Sequence, residues 1–475
     1  MQTAQRLKPN CLSFTELLAQ GVALISPTMT AALIIPVMYS NTGDWSWLSY
    51  ALGTVMLLFV AFNLNQFAKR STGSGSMYAY ICRGLGLTAG AVGGWSLIWA
   101  YMGITTAGVT GFTIFAGKLL MMAGISAPPL LLSAICVAVA WFCAWKNVQL
   151  SAVMMLICEG VSMAFIALLC IIVLFQHHFS IDTAQFDTST FPASSMGLGV
   201  VVAIFSLVGF ECATAFGDEA KDPLKTIPRA VIMSLLISGA FFVFVTYVMV
   251  MGIRGYSTSL DKIDAPLNVL ADLAHVSILQ VPLSLGAMIS FFALCLSCLN
   301  AGSRIVYVMG RHGILPPITA TSHKVNETPH IAVTVLAAIA FLIPVAGTIA
   351  GIAMLDLFNY AGTCAAFGFL VPYALITIAA PVYLKAIGQL QSKDLAISAV
   401  SLLLLAIPTI GSVYPVPSAP VDSFPYLFLA YLTVGLVWIL AFHRRRPAAA
   451  ADIMTDLQMS HDRFFASGDP GLKVN

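Results

Sequence analysis

Apolar stretches of about 20 residues, the length that carries a helix across a bilayer, recur along this chain between short polar breaks. They fall near residues 16–39, 46–67, 87–117, 128–145, 150–176, 197–217, 228–252, 281–309, 331–350, 355–383, 395–412 and 424–443. The pattern predicts twelve membrane-spanning helices. The segment 257–275 carries Asp261, Lys262 and Asp264, is too polar to span, and is expected as an external helix. Two of the apolar runs are interrupted. The first holds Ser26-Pro27-Thr28-Met29-Thr30 near its middle, where proline removes an amide donor and clashes with the preceding turn. The sixth holds Ser206 and Gly209 beside a carboxylate, Glu211. Paired broken helices in two halves point to an inverted repeat around a central site. The expected organisation is an all-α integral membrane protein. Its first repeat would cover 16–176 and its second 197–383, with two further spans in 395–443, a segment 1–15 before them and a tail 447–475 after.

Charge placement supports this count. With the N-terminus inside, external loops contain only Lys118, Arg254 and Lys262, and the other nineteen of the twenty-two Lys and Arg lie on the inner side or at its membrane boundary. That is the positive-inside bias, and a miscount by one span would scramble it. It predicts a multi-pass protein of the plasma (inner) membrane with both termini cytoplasmic. Only 9% of the residues are charged and 59% are hydrophobic, against roughly 25% charged in soluble chains. A net charge of +2 gives no case for nucleic-acid binding. The polar start, Gln2 to Asn10, does not read as a removable signal peptide. The ten cysteines fall mostly inside apolar runs, so they read as small hydrophobes rather than a disulfide framework or metal site. The tail mixes small and charged residues and is expected to be a mobile end with no assigned task.

The chemistry sits in the interrupted spans. A carboxylate inside a membrane helix is costly and marks a pathway or a site. Two qualify, Glu211 on span six and Glu159 on span five. Glu211 reads either as a structural acid satisfied by neighbouring donors or as a titratable group of the path. Glu159 reads either as a proton site or as the partner of a basic group. Asp218, Glu219, Lys221 and Lys225 read as a solvated loop that helps to gate the inner side. Trp99 and Tyr101 on span three, and Cys298 on span eight, are pocket candidates set against plain packing. His177-His178 with Asp182 does not make a metal site, since adjacent histidines cannot readily face one ion. No metal or cofactor is expected.

Four stretches, in order, resemble the amino acid–polyamine–organocation family of permeases. They are Phe67-Ala68-Lys69-Arg70 with Gly73-Ser74-Gly75-Ser76-Met77-Tyr78-Ala79-Tyr80; span six from Phe205 through Gly209-Phe210-Glu211 to Ile227-Pro228-Arg229; Asn300 to Arg304 with Met309 to Pro316; and Thr328-Pro329-His330-Ile331-Ala332. The resemblance implies the five-plus-five inverted-repeat, LeuT-like fold, alternating access, and an amino acid or amine as substrate. It places the family's Gly-Ser-Gly element on Met29-Thr30-Ala31, without its glycines. Pro27, Thr28, Met29, Thr30 and Ala31 then face the substrate with Phe205, Ser206, Leu207 and Gly209, and Phe205 is the gating aromatic. Where many relatives carry a lysine in place of sodium, this chain has Ser162, one turn from Glu159.

The resulting expectation is a secondary transporter for an amino acid or related amine, coupled to protons or working by exchange, in a monomer or homodimer. A polyamine or organic-cation antiporter is the alternative. No Walker-type phosphate loop is present, which argues against ATP drive. A channel would be expected to show a filter repeat or charge rings, a sensor a soluble output domain, and an enzyme a cluster of reactive residues at matching depths. The chain shows none of these.

Overall fold

The computed structural model describes residues 7–71, 75–263, 265–414, 416, 418–445, 452–453 and 455–457. Among them regular structure is helical, apart from one parallel backbone bridge between Leu12 and Ala220. Among the described residues eleven stretches are long and apolar enough to cross a membrane. The first, Phe14–Ala68, is 55 residues long, or about 80 Å of helix at 1.5 Å per residue. That is more than twice the hydrocarbon thickness. It turns at Gly43, whose φ of 51° and ψ of −131° lie outside helical space, and a short turn over Gly43–Trp45 leads into Ser46–Ala68. Dividing it there gives the spans one and two of the sequence reading, and numbering continues through Leu87–Met122 as span three, Pro129–Lys146 as four and Val148–Gln176 as five. Span six is Met196–Ala215, seven Pro223–Ile253, eight Gln280–Arg311, nine His330–Ile349, ten Met354–Ala386, eleven Ser392–Gly411 and twelve Val421–Arg445.

Spans one, three, six, eight and ten form the interior. Where water supplies no drive between helices, association rests on close backbone approach at small residues. Span three meets span eight at Gly108, where an added Cβ would lie 3.0 Å from the Cys295 amide nitrogen. It meets span ten at Gly368, where a Cβ would lie 2.7 Å from the Ala100 amide nitrogen. Burial separates centre from rim. The most apolar window of the first stretch is 89% buried, that of span twelve only 17%. Span twelve therefore presents its apolar residues outward, as a lipid-facing helix does.

Both ends of the described chain lie on one face. Leu12 bridges to Ala220, just past span six, while Arg311 at the end of span eight reaches Asp456 and Arg83 before span three reaches the Leu457 carbonyl. On the opposite face Arg254 bonds both Asp44 and Asp182, at 2.9 and 2.8 Å, tying together the connections after spans one, five and seven. Two expectations change. The polar segment 257–275 forms only a short helix, Pro266–Leu273, after a turn at Leu260–Lys262, and Asp264 is outside the described residues. Part of the tail is docked rather than mobile: Ile453 and Leu457 are buried and Asp456 is ion-paired. The rest of the tail, the first six residues and Gly73-Ser74 of the span-three entry lie outside the described residues.

Candidate functional site

Span one ends its first helix at Ile25. Ser26 then takes a left-handed conformation (φ 50°, ψ 72°), and Pro27 starts a new turn, Pro27–Met29, with its ring at the position where a missing amide costs nothing. The chain continues over Thr30–Ile34 with the Ile35 amide bonded five residues back to the Thr30 carbonyl, a widened turn of the kind that clusters at functional sites. The break therefore falls at Ser26–Pro27, and the Met29-Thr30-Ala31 element lies in the stretched turn beyond it. Pro27, Thr28, Met29, Thr30 and Ala31 are all buried there.

Span six breaks at the matching place. Its first helix, Met196–Leu207, stops because Val208 is extended and Gly209 has φ +96°; a tighter helix over Phe210–Ala215 follows. An L side chain rarely adopts that φ. A Cβ at Gly209 would also stand 1.8 Å from a Leu24 methyl on span one, so glycine is required twice over. The unwound part is shorter than expected. Ser206 and Leu207 remain helical, and the Ser206 hydroxyl donates to the Val202 carbonyl of its own helix at 3.0 Å.

Each break is held by a buried carboxylate. Glu159 on span five accepts from the Thr28 amide and hydroxyl, both at 3.3 Å, and from the Ser290 hydroxyl of span eight. The Thr28 hydroxyl also pairs with Ser162 at 2.6 Å, and Ser290 with Ser26 at 3.1 Å. Glu159 thus sits at the first free amide of the helix that resumes after Pro27, where negative charge is favoured. Glu211 accepts from the Tyr101 hydroxyl at 3.0 Å and the Tyr373 hydroxyl at 2.7 Å, and the Tyr373 oxygen accepts the Gly209 amide at 3.2 Å. One phenol on span ten therefore ties the break to the acid beside it.

The remaining candidates scatter. Phe205, half-buried, lays its ring against Gly362 of span ten, with Cζ 2.5 Å from where a Cβ would be. Cys298 is fully buried on span eight. Trp99 is a correction: its indole donates to the Cys364 carbonyl at 2.8 Å and its rings pack on Phe428 and Tyr431 of span twelve, away from both breaks. Glu219 is another. Far from a solvated loop, it is fully buried, receives Nε and Nη2 of Arg304 in a two-pronged pair, and offers its backbone carbonyl to the amides of Cys11 and Leu12. The Arg304 guanidinium lies 4.4 Å from the Phe216 ring centre. Sequence reasoning also missed Ser26, Ser290 and Tyr373 as site residues. Arg304 had a signal, since a cation this deep in an apolar run demands a carboxylate.

Tyr373→Phe tests the lock on span six. It strips a donor from Glu211 and an acceptor from Gly209 while keeping the ring. An unmet buried polar group costs about 1–3 kcal/mol. The expected outcome is a lowered thermal midpoint in detergent and a loss of transport; an unchanged midpoint would show that the lock carries no weight.

Buried helices interrupted at two matching points, each interruption stabilised by an acid from within the bundle, define a membrane transporter of LeuT-like fold. A solved structure with this fold, a Na+-coupled sialic acid symporter in a substrate-bound, outward-open state, superposes with a TM-score of 0.52 at 14% identity, over 84% of this chain and 90% of its own. The chain belongs to the amino acid permease family, whose model matches residues 19–443. Among relatives, the branched-chain amino acid permease BcaP of Lactococcus lactis is 26% identical, over 92% of this chain and 95% of that protein. The low-affinity putrescine importer PlaP of Escherichia coli is 22% identical, over 90% and 88%. This is a family of permeases, transporters rather than enzymes.

Proposed function

We propose that this secondary transporter carries a neutral amino acid, with an aliphatic one such as L-leucine as the first candidate, by alternating access around the two breaks. The observation that carries this reading is the engagement of both intramembrane acids. The oxygens of Glu159 and Glu211 are already taken by hydroxyl and amide donors of the protein. A diamine needs a carboxylate for its second ammonium, and both acids are buried and already bonded to the protein's own donors. The ends of the interrupted helices suit the remaining charges, since a half-helix offers amides at its start and carbonyls at its end. BcaP is named for branched-chain amino acids and PlaP for putrescine, so the relatives hold both options open and the acids favour the first.

In this reading residues 16–176 and 197–383 are the two repeats, the face carrying both ends of the described chain is cytoplasmic, and the membrane is the plasma membrane. Phe205, against span ten on the far side of the Val208–Gly209 break, closes over the substrate from outside. Glu159 is the proton-coupling acid: its charge draws the Thr28 amide, and its protonation would loosen that hold on span one. Glu211 is structural. Purified protein in liposomes should accumulate labelled L-leucine under an imposed inward proton gradient and exchange it when preloaded. Uptake of putrescine but not leucine would overturn the neutral reading; uptake of neither would overturn both.

A further inference from the structure

A second polar group of residues lies between the two breaks and the terminal face. Gln20 of span one, Cys212 of span six and Ser297 and Asn300 of span eight are all fully buried. The Ser297 hydroxyl donates to the Gln20 carbonyl at 2.8 Å and lies 3.4 Å from Gln20 Oε1, while Cys212 Sγ stands 3.7 Å from the Ser297 hydroxyl. Asn300 follows one turn on, and its backbone carbonyl accepts Nη1 of Arg304 at 2.6 Å. Residues 297, 300 and 304 share one face of span eight, because positions three and four apart are neighbours on a helix. This face runs from the centre of the bundle to the buried Arg304–Glu219 pair.

Asn300 Oδ1 and Nδ2 and Gln20 Nε2 have no hydrogen-bond partner among the described residues, though each is buried. Such groups cost about 1–3 kcal/mol apiece in a closed, dry interior and call for an explanation. Packing alone does not call for an amide at either place, since an apolar side chain carries no such cost. A second conformation, in which the Asn300 amide is paired, would supply the explanation.

We propose that Asn300 and Gln20 form a release station for the substrate, a second site on the terminal side of the breaks that binds its carboxylate and ammonium once the Arg304–Glu219 pair parts. The inference rests on the transport reading above. The ligand class is the zwitterionic core of an amino acid: the Asn300 and Gln20 amides donate to the carboxylate, and the Asn300 carbonyl oxygen accepts from the ammonium. In the closed conformation seen here the three atoms wait unpaired; opening the seam hydrates them or passes them the solute. The station therefore stabilises the open state relative to the closed one.

The prediction runs against ordinary expectation for a buried polar residue. Asn300→Ala should leave the thermal midpoint equal to or above that of the unaltered protein, because the unpaired amide is gone. With labelled L-leucine in liposomes, half-saturation measured from the terminal face should rise at least about fivefold and turnover fall by a like factor. Half-saturation from the opposite face should stay within about twofold. A lower midpoint with both faces impaired equally would mean that Asn300 serves packing, and unchanged kinetics on both faces would also overturn the station. A second measurement needs no transport. Asn300→Cys should react with a membrane-impermeant thiol reagent applied to the terminal face, above the background of the native cysteines; no added reaction would overturn the proposal. If the unaltered protein fails to move leucine while Asn300→Cys still reacts, the neutral-substrate reading fails and the polar seam stands.

Discussion

Glu219→Gln should unlock the terminal face. The substitution leaves Arg304, 1% exposed, as a cation without its carboxylate. Removing one member of a buried pair costs about 3–5 kcal/mol. That cost falls on the conformation in which the pair is sealed, because in an opened seam water can solvate the guanidinium. A bias of about 3 kcal/mol is roughly a hundredfold in the ratio of closed to open states. The chain supplies its own reporter. Cys11 is 4% exposed, and its amide bonds the Glu219 carbonyl, so it reacts slowly while the seam is shut. In the variant, modification of Cys11 from the terminal face should quicken at least about tenfold, and net transport should fall by a similar factor because the closed state is seldom reached. Arg304→Gln added to Glu219→Gln removes the stranded charge and should recover much of the lost thermal stability without restoring transport. Unchanged Cys11 reactivity in the single variant would show that the pair does not hold this face closed.

The same pair shows what a sequence withholds. Span lengths are local quantities, and they are legible: the apolar runs return as helices, eleven stretches among the described residues being long and apolar enough to cross a membrane, the first of them turning at Gly43. The span-one break was legible through Pro27, whose backbone chemistry is the same in any surroundings. The span-six break was legible through Gly209, but its extent was not, because Ser206 had the option of bonding its own helix and takes it. From the sequence Arg304 reads as one of the charges of the membrane boundary. Its burial depends on Glu219, 85 residues away, and on a strand-like N-terminal segment folding back to cover both. The surroundings of Trp99 are hidden for the converse reason. An aromatic on an all-apolar helix carries no mark of whether it faces a pocket or, as here, span twelve. Pairings such as Glu159 with Thr28, separated by 131 positions, exist only in the fold.

That last pairing yields the second large effect. Glu159→Gln should abolish proton-driven accumulation while sparing exchange. The amide keeps the bonded geometry but not the charge that draws the Thr28 amide, so it loosens the hold on span one as protonation does. Its oxygen accepts from the Thr28 amide and hydroxyl as the carboxylate does. Its NH2 donates to Ser290, whose hydroxyl then turns to donate to Ser26, 3.1 Å away. Glutamine thus stands for the protonated acid, fixed in that state. If one proton accompanies each substrate, the unaltered protein should accumulate leucine about tenfold per unit of imposed pH difference, the gradient being worth about 1.4 kcal/mol per unit. The variant should equilibrate to about equal concentrations whatever the gradient, with counterflow within about twofold of normal. Glu211→Gln is the contrast, because its network cannot be reversed so cheaply. Tyr373 already accepts the Gly209 amide and must donate its own proton, so an NH2 in place of Oε2 sets donor against donor. Flipping the amide moves the clash to Tyr101, whose hydroxyl can rotate only by giving up its own bond to Glu211. Glu211→Gln should therefore lower the thermal midpoint and total flux together, leaving the residual flux still responsive to pH. An accumulation ratio that tracks the gradient in Glu159→Gln, and loses that response in Glu211→Gln, would reverse the two roles and move the proton from span five to span six.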